Sequence, residues 1–172
     1  MLPVLTPSQM AAVDAAAPEP IDELIDRAGR AVARVALDML GGSYGRVVVV
    51  IAGKGNNGAD GRVAAAVLRR RGVQVKIFDA AALPATLPSA CLVIDAAYGT
   101  GFRGEWLAPD VGTTPVLAVD VPSGVDALTG VASGHVLRAD CTVTFQAMKT
   151  GLLFGDGALL AGRIEVADIG LG

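Results

Sequence analysis

The residues able to do chemistry cluster after short apolar runs. The first run, Val47-Val-Val-Val-Ile-Ala52, leads into Gly53-Lys-Gly-Asn-Asn-Gly58, a literal G-x-G-x-x-G. Glycines there let backbone N–H groups approach a ligand, and the helix behind offers its positive end to an anion. The segment therefore points to a small molecule carrying phosphate. Asp79 follows about 20 residues on, where a dinucleotide fold places its ribose-binding acid, so NAD(P) binding is one reading. Asn56, Asn57 and Asp60 point elsewhere, because a pyrophosphate turn needs only backbone and Asp60 would repel a phosphate. Asp60 is also explained as an acidic residue favoured by the helix dipole, which leaves the paired asparagines unexplained.

Two further apolar runs end in an aspartate. Val93-Ile-Asp95 leads into Gly99-Thr-Gly101, and Val116-Leu-Ala-Val-Asp120 leads into Pro122-Ser123-Gly124. In a parallel sheet the ends of neighbouring strands converge on one crevice, so Asn57, Asp60, Asp95, Asp120 and Ser123 are expected to meet. Oxygen-only ligands suit a hard cation rather than zinc or copper. Each aspartate alone is equally explained as a turn former bonding its own backbone. Lys149 offers a cation to a phosphate or is a solvated surface residue. His135, the single histidine, lies in a Ser- and Gly-rich stretch and is not expected to be catalytic; Trp106 is expected to cover one end of the sheet.

The elements that must position these residues follow from periodicity. Ile21–Leu40 has apolar residues at three-and-four spacing, with Pro20 at its entry and Gly41-Gly42 at its exit, and predicts a helix. Ser8–Ala16 predicts a shorter one. Strands are expected at 46–52, 73–78, 92–95, 116–120, 142–145 and 164–166, and a helix at 60–71. The alternation implies an α/β fold with a mostly parallel sheet and helices on both faces. Two crossovers are thin. Residues 79–91 carry Pro84 and Pro88, and 103–115 carry Pro109 and Pro115, so each is a one-turn helix or an extended loop.

The 172 residues suit one domain spanning 1–172, with a core of Ala, Val, Leu and Ile, since aromatics are only 4%. A net charge of −3 provides no basic field for nucleic acid, and Arg69-Arg-Arg71 sits where it complements a helix dipole. Cys91 and Cys141 have no C-x-x-C spacing, so neither zinc nor a disulfide framework is expected and the setting reads as reduced and cytoplasmic. No signal peptide and no membrane span are expected.

Four segments in order resemble the NAD(P)H-hydrate epimerase family: Gly53-Lys-Gly-Asn-Asn-Gly-Ala-Asp-Gly61, Asp95-Ala-Ala-Tyr-Gly-Thr-Gly101, Ala118-Val-Asp-Val-Pro-Ser-Gly-Val-Asp126 and Ala139–Lys149. The resemblance implies a Rossmann-like three-layer αβα domain, a homodimer, and interconversion of the C6 epimers of hydrated NADH and NADPH, often beside or fused to a dehydratase. It implies substrate contacts from Asn56, Asn57, Gly58, Ala59 and Asp60, and from Gly99, Thr100, Gly101, Phe102, Arg103, Gly104 and Glu105. It implies a potassium ion held by Asn57, Asp95 and Ser123, and Asp120 against the hydrated nicotinamide. A strand-end carboxyl raised by burial would protonate the leaving C6 hydroxyl and take a proton from the returning water, and Asp120 is expected in that catalytic role. Ala59 stands where the family usually has glycine, which is harmless if its φ is negative. Two readings remain beside this one: an oxidoreductase holding intact NAD(P) through Gly53–Gly58 and Asp79, and a non-catalytic nucleotide-binding or scaffold module.

Overall fold

The computed structural model describes residues 3–171. Its elements run β1 (Val4–Leu5), α1 (Pro7–Ala16), α2 (Ile21–Leu40), β2 (Val47–Ala52), α3 (Asn56–Arg70), β3 (Gln74–Asp79), β4 (Leu92–Ala96), β5 (Trp106–Leu107), β6 (Val116–Val119), β7 (Gly134–His135), β8 (Cys141–Phe145), β9 (Met148–Lys149), a 3₁₀ turn (Thr150–Leu152), α4 (Gly155–Leu160) and β10 (Arg163–Ala167). Six strands form one parallel sheet in the order β10-β8-β6-β4-β2-β3. The strand order reverses at β2, with β3 on one side and β4 on the other. The carboxyl ends at that switch point form the crevice where such sheets bind ligands.

Strand alternation sorts the core into two faces. Val48, Val50, Ala52, Ile94, Leu117, Val119 and Val143 pack with α1, α2 and α3, where Val32, Ala33, Val35 and Ala36 are fully buried. Val49, Ile51, Val93, Val116 and Ala118 face the other way, onto Leu87, Trp106, Leu137 and Ala139. Trp106 thus covers a face of the sheet rather than its end. That second layer holds the six-residue α4, the ribbon of β5 with β7, and extended chain. Helices on both faces were expected; the second layer is mostly extended because the proline-bearing crossovers 80–91 and 103–115 form no helix.

The helical face owes its closeness to a glycine. A Cβ at Gly29 of α2 would stand 2.4 Å from the Val63 Cβ of α3. The bare backbone lets the two helices cross tightly, and this lays Ile21, Leu24, Ile25 and Ala28 over one wall of the crevice. Schellman-like closure ends α2: Gly41, at φ 64°, donates to the carbonyls of Leu37 and Asp38.

Candidate active site

A cavity of about 740 Å³ opens at the carboxyl ends of β2, β4, β6 and β8. One wall is α1 and α2, through Met10, Asp14 and the apolar residues just named. The opposite wall is the 97–103 loop. Lys54, Asn56, Asn57 and Asp60 come from the start of α3, and Asp120, Phe145 and Lys149 form the floor.

The glycine-broken segment is less of a loop than its sequence suggests. α3 begins at Asn56, four residues before the expected start at Asp60, with Gly55 as its N-cap. Asn56 and Asn57 are therefore first-turn helix residues. Gly58 lies inside the helix, where an added Cβ would meet the Gly53 carbonyl oxygen at 1.9 Å. Glycine here lets the helix start sit on the strand end. Arg62 donates to the same Gly53 carbonyl at 2.7 Å and fixes the turn. Ala59 is helical, with no positive φ, so its methyl is accommodated without strain.

β6 and β8 end alike. Val121 N–H donates to the Val119 carbonyl across Asp120 at φ 68°, and Ala147 N–H donates to the Phe145 carbonyl across Gln146 at φ 61°. These are γ-turns with a left-handed central residue, a strained conformation for a side chain other than glycine. Asp120 is held further by its own N–H, which bonds the Val143 carbonyl at 2.7 Å. The turn re-aims its carboxyl away from the pleat and into the cavity.

There Asp120 meets Lys149. The ammonium Nζ lies 2.7 Å from Asp120 Oδ1, and its side chain is only 2% exposed against 13% for Asp120. Lys149 Nζ also donates to Thr144 Oγ1 and the Phe145 carbonyl, both at 2.9 Å, and Thr144 Oγ1 donates to Asp120 Oδ1 at 3.0 Å. The two sequence readings of Lys149, phosphate cation or surface residue, give way to a buried ion pair. Its burial follows from the pairing of β9, which carries Lys149, with β1, and two-residue strands leave no signal for that in the sequence.

Asp60 is 7% exposed and faces the same cavity. Burial pushes its carboxyl up to about 8, helped by the nearby negative charge of Asp120. Asp14, on α1, is also raised by burial, with Lys149 acting against the rise. The burial-raised acid at the strand ends is thus Asp60, whereas Asp120 sits against a cation.

Behind the 97–99 turn, Asp95 is fully buried. Its Oδ1 accepts from Ser123 Oγ and, at 3.3 Å, from Ala97 N–H; its Oδ2 accepts from Ser123 N–H at 2.9 Å. Ser123 Oγ in turn takes the Tyr98 N–H at 2.9 Å and lies 3.2 Å from the Tyr98 carbonyl. Burial pushes the Asp95 carboxyl up to about 6, while these hydrogen bonds pull it down. Asn57 packs against Gly99 on the other side of the turn, and its Nδ2 is buried with no partner. The donors gathered here are one carboxylate, a hydroxyl, an amide and the Tyr98 carbonyl, and among the described residues no ammonium or guanidinium is bonded to Asp95. A fully buried carboxyl with hydrogen-bond donors but no cationic side chain beside it, among oxygen atoms of Ser123 and Tyr98, fits a hard cation of low charge.

The predicted set divides as follows. Asn56, Asn57, Asp60, Asp120 and Gly99–Arg103 line the cavity, with Phe102 stacked on Tyr98 at 4.3 Å. Asp95 and Ser123 support it from behind. Gly58 and Ala59 shape the helix start without lining the cavity, and Gly104 and Glu105 lie beyond it on exposed chain. Asp79 is outside as well: its Oδ1 caps the turn at Ala81 N–H. That removes the acid on which the intact-dinucleotide reading relied. His135 lies away from the cavity on β7, its Nδ1 3.0 Å from the Ala108 carbonyl.

Comparison with known proteins bears on the same residues. The family model described as YjeF-related protein N-terminus matches residues 21–85 and 78–151. The chain is 39% identical to the NAD(P)H-hydrate epimerase of Limosilactobacillus fermentum, over 70% of this chain and 74% of that protein. It is 36% identical to the NAD(P)H-hydrate epimerase of Leuconostoc mesenteroides, over 88% of this chain and 82% of that one.

The chain belongs to the NAD(P)H-hydrate epimerase family.

Within that family it is compact. The Leuconostoc alignment runs over 185 positions, more than the 172 residues of the chain, so the relative has segments this chain lacks. The two stretches matched by the family model overlap at 78–85, where the helix-free crossover begins. A bifunctional NAD(P)H-hydrate repair enzyme, Nnr, of Moorella thermoacetica is 34% identical over 86% of this chain, which spans 36% of that protein. The crystal structure of yeast ynu0, YNL200c, shares the fold at a TM-score of 0.75 and 20% identity, covering 97% of this chain and 88% of that one.

Proposed function

We propose that this chain is an isomerase that interconverts the R and S epimers of hydrated NADH and NADPH at C6. The observation that carries the reading is Asp120, turned into the cavity by its γ-turn and anchored by Lys149 and Thr144. It is supported by the 36–39% identity to relatives named NAD(P)H-hydrate epimerase.

In the hydrated cofactor, C6 carries a hydroxyl and is bonded to the ring nitrogen. The nitrogen lone pair expels the hydroxyl as water once an acid protonates it. C6 is then planar, and water returns to either face. A carboxyl beside C6 serves as the acid–base group, and Asp120 is the group we place there. The substrate's phosphates belong at the rim, where Lys54 and Arg103 lie and the start of α3 offers N–H groups. The residues placed to hold the substrate are Asn56, Asn57 and Asp60 and the Gly99–Arg103 loop.

Asn57, Asp95 and Ser123 are assigned to a potassium ion. When bound, the ion supplies positive charge to the buried Asp95 carboxylate and stiffens the 97–99 turn against the start of α3. The working partners are a second copy of the chain and a dehydratase, the latter suggested by bifunctional relatives. The location is cytoplasmic; among the described residues no helix is long and apolar enough to cross a membrane.

The test is to incubate the protein with both epimers of hydrated NADPH and a dehydratase that accepts only one. Accelerated consumption of the whole mixture is expected. Tight binding without acceleration would instead favour a non-catalytic module, and tight binding of unmodified NAD(P) alone an oxidoreductase.

A further inference from the structure

Epimerisation through a planar C6 requires a proton to be given to the leaving oxygen and another to be taken from the entering one. The cavity holds two carboxyls in unlike settings. Asp120 Oδ1 receives the Lys149 ammonium at 2.7 Å and the Thr144 hydroxyl at 3.0 Å. Asp60 is buried in the same cavity and takes no hydrogen bond or ion pair among the described residues. We propose that Asp60 is the proton donor of the epimerisation and Asp120 the acceptor, with Lys149 as the positioning residue that sets the two carboxyls apart. This rests on the epimerase reading above and divides between two carboxyls the acid–base work placed there on Asp120 alone.

The surroundings agree with this split. The charge nearest Asp60 is that of Asp120, and Asp14 of α1 lines the same cavity. Lys149 is committed to Asp120, Thr144 and Phe145, and Arg62 on α3 itself is spent on the Gly53 carbonyl. Lys54 and Arg103 stand at the rim with the phosphate-binding segments. α2 presents only apolar residues to this wall. A carboxyl in such a place keeps its proton, and burial pushes Asp60 up to about 8. A carboxyl without a partner and one bonded to an ammonium, in one cavity, are placed to divide the roles of acid and base.

In the forward step, the Asp60 O–H proton passes to the C6 hydroxyl oxygen as the C6–O bond breaks. The nitrogen lone pair forms the C=N bond, water departs, and Asp60 is left as carboxylate. In the return step, a water oxygen bonds C6, the C=N pair goes back to nitrogen, and Asp120 takes the water's proton. One proton has moved from Asp60 to Asp120. It returns through water in the open cavity, or the reverse turnover carries it back.

The deciding variant is Asp60→Asn, assayed with hydrated NADPH epimers. Asparagine matches the neutral acid in shape and hydrogen-bonding groups but has no proton to give. A kcat loss of about 10²–10⁴ with KM within about threefold is expected. A loss under tenfold in kcat means that Asp60 only binds substrate, and overturns the assignment. Asp60→Glu, which retains the acid, should exceed Asp60→Asn at least tenfold; equal activity overturns it too. For Lys149, Lys149→Met should lower kcat at least tenfold with KM within about threefold, and Lys149→Arg, which restores a cation beside Asp120, should recover part of that loss; equal rates in the two variants would mean that Lys149 is only structural. Wild type that fails to accelerate epimer exchange sinks the epimerase reading itself. Active wild type with unimpaired Asp60→Asn sinks only the division of roles.

Discussion

The ends of β6 and β8 are the same backbone device put to different uses. Each strand stops in a γ-turn whose central residue is left-handed and not glycine, and each central N–H bonds a carbonyl of the next strand in the sheet. At β6 the central side chain is Asp120, aimed into the cavity at Lys149 and Thr144. At β8 it is Gln146, whose amide ties down the closing segment through the Leu171 carbonyl and, at 3.4 Å, the Ile169 N–H. Strain at a strand end is therefore not in itself a mark of catalysis. What distinguishes the β6 turn is what it points at: a buried charge in an open cavity, against backbone groups with nothing else to bond.

The comparison is broken most sharply at Asp120. Asp120→Asn keeps a residue that tolerates the left-handed region but strands the buried Lys149 ammonium, so it should fold with its melting temperature lowered by roughly 5–10 °C. Epimerisation measured with hydrated NADPH should fall by about 10²–10⁴. Retained turnover would remove the functional difference between the turns. Lys149→Met comes next. It leaves Asp120 without its cation at a largely buried position and should lower stability by about 2–3 kcal/mol, or roughly 5–10 °C in a thermal scan. The Asp120→Asn/Lys149→Met double variant should regain part of that loss, since no lone charge remains; an additive loss would show that the pair is not coupled.

Asp60 sharpens the comparison from the other side of the cavity. An unfolded aspartate loses its proton near pH 4, whereas folded Asp60 holds it to about 8. The folded state thus binds more protons between those values, so this group makes stability fall as pH rises from about 4 to 8, and adds no further change above. Asp60→Asn removes the effect and should melt on the order of 5 °C above wild type at pH 8, with the gap closing toward pH 4. An unchanged gap across that range would mean that Asp60 is not the neutral acid. The smallest effect belongs to Gln146→Ala. Losing the amide should lower stability by about 1–2 kcal/mol and raise hydrogen exchange at Ile169–Leu171, with kcat within about threefold. A catalytic loss as deep as that of Asp120→Asn would make the two turns equivalent after all.

The sheet and its crevice were legible because long β-branched runs such as Val47–Ile51 and the amphipathic Ile21–Leu40 follow from burial alone. The start of α3 was misplaced by four residues because glycine and asparagine read as loop formers, while here Gly58 is needed inside the helix for its approach to Gly53. Asp95 and Ser123 were expected in one crevice with Asn57, Asp60 and Asp120; the strand ends bring the two together, but behind the cavity rather than in it. Lys149 was not legible as a buried residue, and Asp14 was not singled out. Their positions depend on β1 and β9, two residues each, too short to give a period. The trimmed second layer was half legible: prolines forecast thin crossovers, but nothing in them announces how much of the opposite face extended chain must cover.

One feature of the chain ends has a use. Pro3 accepts the Met148 N–H at 3.0 Å, and Leu171 accepts from Gln146, so the first and last described residues dock two positions apart on the same stretch. A short peptide joining them, with new termini opened in the exposed 112–113 turn, should give a circular permutant that keeps the crevice intact. Such a molecule would carry purification handles on the opposite side from the substrate entrance.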